Sequence, residues 1–127
     1  MLSSNKMIGF VTTRDSSRAR QFYEDVLGFK FVSNDQFALV LETDENMIRI
    51  SEVKDGTPAG HTILGWEVQN IEKVAAWLKE RGVTFERYPW AKQDELGIWM
   101  APGGDQVAWF KDPDGNVLSL SQHVNRR

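Results

Sequence analysis

Apolar and polar positions alternate in short blocks from the start of the chain. Met7 to Thr13 is mostly apolar or β-branched, which predicts a strand, and Arg14-Asp15-Ser16-Ser17 then supplies helix-starting side chains. Ala19, Phe22, Tyr23, Val26 and Leu27 recur at i, i+3, i+4, i+7 and i+8, one stripe of a 3.6-residue period. Gly28 stands where a left-handed glycine commonly ends a helix. Three β-rich blocks follow, Phe29 to Ser33, Phe37 to Leu41 and Met47 to Val53. Asn34-Asp35 and Thr43-Asp44-Glu45-Asn46 separate them, which predicts strands joined by tight turns.

Residues 54–60, with Gly56, Pro58 and Gly60, read as a linker, and beyond it the same grammar repeats. Thr62 to Val68 predicts a strand, Asn70 an N-cap, and Ile71, Val74, Ala75 and Leu78 a helical stripe ending at Gly82. Strands are predicted at Val83 to Tyr88, Val107 to Phe110 and Val117 to Ser121, the last two joined by Asp112-Pro113-Asp114-Gly115. The chain therefore reads as an α+β domain of two tandem βαβββ units, about 6–53 and 61–123. Pro89 to Gly104, holding Trp90 and Trp99, is an extra segment with no counterpart in the first unit.

Composition narrows the chemistry. A chain of 127 residues with 41% hydrophobic positions can bury a core without staples, and the absence of Cys removes disulfides, thiolate metal sites and a cysteine nucleophile. Eighteen acidic against fifteen basic groups, scattered along the chain, argue against a nucleic-acid partner. No apolar run is long enough to span a membrane, and Met1 to Lys6 lacks a secretory apolar core, so the default expectation is a soluble cytoplasmic protein. Only two histidines, His61 and His123, are available for metal or proton chemistry, whereas five Trp is a high count.

Two stretches carry a resemblance. Asp15, Ala19, Phe22-Tyr23 and Leu27-Gly28-Phe29 form a "D...A..FY...LGF" pattern, and Phe110-Lys111-Asp112-Pro113-Asp114-Gly115-Asn116 an "F.DPDGN" hairpin before the last strand. Around a doubled βαβββ, these resemble the vicinal oxygen chelate superfamily of glyoxalases, bleomycin-resistance proteins and extradiol dioxygenases. The resemblance implies a half-open eight-stranded barrel around a ligand groove, commonly across a homodimer. In metal-dependent members, one His, Gln or Glu from the first and last strand of each unit holds a divalent ion open to chelating substrate oxygens. The matching positions here are Ile8, Arg49, Ile63 and Ser119. These side chains cannot hold a divalent cation, so the resemblance implies a member without metal or other cofactor. Nor do the histidines restore the set. In that fold the strands are parallel, and His61 and His123 would lie roughly 20 Å apart along them. His123 reads as a solvated tail residue, and His61 as a polar rim residue whose intrinsic titration range leaves proton transfer open.

Alternation sends Gly9, Val11, Thr13, Ile48, Ile50, Leu64, Trp66, Leu118 and Leu120 toward the helices. The opposite face receives Ile8, Phe10, Thr12, Met47, Arg49, Ser51, His61, Ile63, Gly65, Ser119 and Ser121, an apolar floor with one cation and a few hydroxyls. Arg49 either offers a bidentate fork to a carboxylate or phosphate ligand or pairs with an internal acid such as Glu67. Ser119 and Ser121 can hydrogen-bond a ligand, but spacing alone argues no Ser-His-Asp relay. Trp66 is expected in the core, Trp77 over a sheet edge, and Trp109 on either face. Trp90 and Trp99 either pack structurally or wall a pocket. Gly103-Gly104-Asp105 has turn chemistry rather than the spacing of a phosphate loop. The expected function is metal-independent binding of a small organic molecule by a homodimer, through Ile8, Phe10, Arg49, His61, Ile63, Trp99, Ser119 and Ser121. The alternatives are a metal-dependent lyase or dioxygenase with displaced ligands, and an enzyme using Arg49 and His61 without metal.

Overall fold

The computed structural model of the chain describes residues 1–124. They form two compact units that part between Pro58 and Ala59. Each unit holds one four-stranded mixed sheet, so the fold is α+β.

In the first unit, β1 (Ile8–Thr13) runs parallel to β4 (Met47–Glu52), β4 pairs antiparallel with β3 (Leu39–Glu42), and β3 with β2 (Lys30–Asn34). One face is buried and one open, as the alternation predicts. Val11, Leu41, Ile48 and Ile50 are 5% exposed or less, whereas Ile8 and Phe10 are 48% and 72% exposed. Burying an aliphatic side chain of this size stabilises by about 1.5–3 kcal/mol, so the buried row of β1, β3 and β4 anchors the unit. Helix α1 (Ser16–Arg20) starts where Asp15 accepts the Arg18 backbone N–H at 3.2 Å. It widens into a π-helical turn over Gln21–Val26, where the Leu27 N–H reaches the Phe22 carbonyl. Ala19 and Tyr23 from its apolar stripe are fully buried, and Gly28 closes it at φ 86°.

The strand expected from Phe37 begins only at Leu39. Asp35 Oδ1 accepts the N–H groups of Phe37 and Ala38 at 2.8 and 3.0 Å, which folds these residues into a turn and leaves Phe37 71% exposed.

In the second unit, β5 (Thr62–Glu67) runs parallel to β8 (Val117–Gln122). Strand β8 pairs antiparallel with β7 (Gln106–Lys111), and β7 with the short β6 (Trp99–Met100). Helix α2 (Ile71–Glu80) is capped by Asn70, which accepts the Lys73 N–H at 3.1 Å, and is tied to β8 through Ile71 N–H and Gln122 Oε1 at 2.8 Å. Ile71, Ala75, Leu78, Ala108, Phe110, Leu118 and Leu120 form the core, with Leu64 and Trp66 half-buried. Trp66 stacks on Phe110 at 6.2 Å. Trp77, expected over a sheet edge, is 39% exposed under the Arg81 guanidinium, 4.2 Å from its ring centroid.

The strand predicted at Val83 to Tyr88 is not continuous. Phe85 bridges to Phe110 and the Glu86 N–H donates to the Trp109 carbonyl at 2.8 Å, then the chain leaves the edge of β7. It returns at Trp99 and Met100, opposite Val107 and Gln106. The extra segment, expected to have no counterpart in the first unit, therefore supplies half of the edge strand. The excursion over residues 87–98 is tied at its neck by Gln93 and turned by Gly97 at φ 86°, where a Cβ would lie 2.7 Å from Phe85 Cβ.

Candidate functional site

The excursion gathers four aromatic side chains on the open face of the second sheet. Val107 and Trp109 alternate with the buried Ala108 and Phe110, so Trp109 faces away from α2. Trp99 of β6 stands beside Val107 of β7, and Tyr88 and Trp90 are carried over from the start of the excursion. Trp90 packs edge-to-face on Trp99 at 5.1 Å and on Trp109 at 5.7 Å. Tyr88 stacks on Trp90 at 6.0 Å and meets Trp109 edge-on at 5.3 Å, while Trp99 lies 6.0 Å from Trp109. These rings brace one another, yet Trp90 keeps 63% of its surface exposed.

Sequence reasoning singled out Trp90 and Trp99 but left Trp109 unassigned and missed Tyr88. The signal for Trp109 was present, since the 107/109 and 108/110 alternation already separates two faces.

Polar groups border the patch. Ser119 lies between Gly65 of β5 and Trp109 of β7, and Ser121 between Glu67 and Val107. A Cβ on Gly65 would lie 2.8 Å from Ser119 Oγ, so the glycine leaves that hydroxyl its room. His123, expected as a solvated tail residue, is exposed but paired. Its Nδ1 lies 3.1 Å from Asp105 Oδ2 and its Nε2 lies 3.0 Å from Ser121 Oγ. A carboxylate only accepts, so Nδ1 carries a proton, and in the neutral ring Nε2 then accepts from the Ser121 hydroxyl. Asp105 is fixed in turn by the Val124 N–H at 3.0 Å, which, ahead of His123, holds its carboxyl below the usual range.

The remaining expected residues are dispersed. Ile8, Phe10 and Arg49 occupy the open face of the first sheet, with Phe10 directly beside Arg49. The Arg49 charge helps to lower the Asp35 carboxyl, behind the backbone N–H groups of Ala38 and Phe37. Ile63 has no register partner on β8, where the pairing slips between Thr62 and Leu64, and the exposed His61 precedes the strand. Strict alternation therefore does not carry back from Gly65 through Ile63 to His61.

The family model for the Glyoxalase/Bleomycin resistance protein/Dioxygenase superfamily matches residues 7–120. The chain belongs to this superfamily. Solved structures with the same fold include a superfamily member from Sphaerobacter thermophilus, 23% identical over 97% of this chain and 100% of that one, with a TM-score of 0.74. A lactoylglutathione lyase from Agrobacterium tumefaciens is 17% identical over 94% and 93%, with a TM-score of 0.69. TnmS3, an antibiotic binding protein from a Streptomyces species, is 22% identical over 98% and 99%, with a TM-score of 0.69.

The residues at the four positions that the resemblance implies for metal ligands do not fit a divalent cation. Ile8 and Ile63 offer no donor atom, Arg49 is itself a cation, and Ser119 stands against Gly65 and Trp109 rather than near a carboxylate or imidazole partner. Among the described residues no three His, Asp or Glu side chains gather as metal ligands, and no helix is long and apolar enough to cross a membrane.

Proposed function

We propose that this superfamily member binds a small organic molecule with a flat aromatic portion, without metal, on the open face of its second sheet. The observation that carries the reading is the braced patch of Tyr88, Trp90, Trp99 and Trp109 with Trp90 left exposed. A planar ligand laid on Trp90 or Trp99 gains stacking worth about 0.5–1.5 kcal/mol per ring beyond the area it buries. Ser119 and Ser121 supply hydroxyls at the border, which orient the ligand. Ile8, Phe10 and Arg49 offer a second apolar surface with one cation, and His61 and Ile63 lie at the start of β5. The antibiotic-binding neighbour supports a binding role on this fold. We take the working unit to be a homodimer, with the exposed Ile8 and Phe10 as apolar surface for a second copy, which sedimentation equilibrium tests.

Tryptophan fluorescence titrated with anthraquinone-2-sulfonate and acridine orange tests the binding reading. Saturable quenching that weakens about tenfold in Trp90→Ala and Trp99→Ala is expected. Quenching that never saturates, or that ignores both substitutions, overturns it. A stoichiometric divalent ion in protein purified without chelator overturns the metal-free part.

A further inference from the structure

We propose that Ser121, His123 and Asp105 form an acyl-transfer site that hydrolyses aryl esters bound on the aromatic patch. The inference rests on that patch as the ligand platform and adds a reaction to it.

The atoms pair in the order such a relay needs. Ser121 Oγ lies 3.0 Å from His123 Nε2 and His123 Nδ1 lies 3.1 Å from Asp105 Oδ2, so in the neutral ring the hydroxyl donates to Nε2 and Nδ1–H donates to the carboxylate. The carboxylate is anchored independently by the Val124 N–H, so it fixes the tautomer and the ring rather than following them. Two strands hold the three groups. The β7–β8 register pairs Gln106 with Gln122 and Val107 with Ser121, and carried one residue further it sets Asp105 opposite His123. The nucleophile shares its sheet face with the platform. Ser121 lies beside Val107, diagonal to Trp109 at the about 7–8 Å typical of such neighbours, and two strands from Trp99, so a ring on the indoles carries an attached ester group toward the hydroxyl. Glu67 flanks Ser121 on the β5 side.

In the reaction, Ser121 Oγ bonds to the ester carbonyl carbon while its proton passes to His123 Nε2. The bond from that carbon to the aryl oxygen breaks, and His123 returns the proton to the departing phenolate. Water then attacks the acyl-serine, its proton moves through His123 to Ser121 Oγ, and a carboxylic acid leaves. Nothing is oxidised or reduced. Ser121 and His123 are the catalytic residues, and Asp105 is a positioning residue acting through His123.

The test treats the wild-type protein with diisopropyl fluorophosphate, in which Ser121 Oγ would displace fluoride from phosphorus, and locates the adduct by peptide mass mapping. Hydrolysis of 2-naphthyl acetate is followed in parallel. A single adduct on Ser121 is expected. Ser121→Ala and His123→Ala should lower turnover by about 10²-fold or more, and Asp105→Asn should lower kcat while KM holds. No adduct on Ser121, or turnover that ignores both Ser121→Ala and His123→Ala, overturns the proposal. Because labelling is read on the wild-type protein, a variant that fails to fold does not decide the matter. Saturable quenching by 2-naphthol without labelling leaves the platform standing and removes the reaction. Labelling without any response to 2-naphthol keeps the relay and removes the platform.

Discussion

Gln93→Ala tests what holds the aromatic patch together. Half-buried at the neck of the excursion, the Gln93 carboxamide accepts the Tyr88 N–H at 2.9 Å and donates to the carbonyls of Glu86 at 2.9 Å and Gly97 at 2.8 Å. It joins the departing chain to the returning one and adjoins Tyr88, the first ring of the patch. A net hydrogen bond contributes about 1 kcal/mol, and water can replace part of the loss at a half-exposed site, so the three together predict a cost of about 2–3 kcal/mol. With a urea slope of about 1–3 kcal/mol per molar, the midpoint should fall by about 1 M or more. Far-UV circular dichroism during urea unfolding reads the cost, and near-UV circular dichroism reads the packing of Tyr88, Trp90, Trp99 and Trp109. Gln93→Glu keeps the acceptor for Tyr88 but turns a carboxylate oxygen toward two carbonyls, so it should be at least as destabilising. A midpoint within 0.2 M of wild type and an unchanged near-UV spectrum in Gln93→Ala would show that the neck is not what positions the rings.

Three further outcomes follow from other contacts. In the Asp112 turn, Oδ1 accepts the N–H groups of Asp114 and Asn116 at 2.9 Å each, and Oδ2 accepts Asn116 Nδ2 at 2.8 Å. All three residues are buried, so Asp112→Ala should cost about 3–5 kcal/mol by thermal unfolding, and Asp112→Asn less. Gly97→Ala combines a positive φ with a Cβ 2.7 Å from Phe85 Cβ and should cost about 2 kcal/mol or more, whereas Gly60→Ala, with nothing within 4 Å, should leave Tm within a degree or two. The Asp105 carboxyl is lowered from 3.8 on folding, so the stability it contributes is present above about pH 3.8 and is lost as pH falls through its folded value. A gap between wild type and Asp105→Asn in urea midpoint should therefore be present at pH 7 and narrow as pH falls below about 3.8, and a gap that does not narrow there refutes the assignment.

Local signals fixed what the sequence could disclose. The stripe from Ala19 to Tyr23, the Asp15 and Asn70 caps and Gly28 act within a few residues, and the structure uses each as its chemistry dictates. The DPDGN run was legible as a turn, and Asp112 explains its composition by consuming three donors inside it. The open faces were legible as far as register holds. They fail at Ile63, where a slip against β8 breaks the alternation that would have aimed His61. The edge of β7 was illegible for another reason. One strand position is filled by two distant segments, Phe85-Glu86 and Trp99-Met100, and no periodicity links residues across a 12-residue excursion. Tyr88 went unnoticed because it sits where the chain leaves the edge. The solvated position of His123 was legible near the chain end, but its partners were not, because they come from the hairpin register that places Asp105 across from it.

The same hairpin explains why polar chemistry collects at one end of this sheet. On β8 Ser119 has Gly65 and Trp109 as its neighbours, neither able to deprotonate its hydroxyl. Side chains on one face recur every second residue, so the next open-face position is Ser121, one row nearer the strand end. There the strand ends at Gln122, and His123 lies one residue beyond it. His123 can therefore turn back onto Ser121, two residues earlier, while its other nitrogen meets Asp105, which lies just before β7 begins at Gln106. Within the sheet a residue at 123 would face the same side as 121 with its ring standing parallel, and a hydrogen bond between them would require the rings and hydroxyl to lean together. His123, just past the strand end, makes that contact at 3.0 Å. A serine placed one row inward has no such partner, which is why the relay is built around Ser121 and why substituting Ser119 by alanine should not abolish labelling at Ser121.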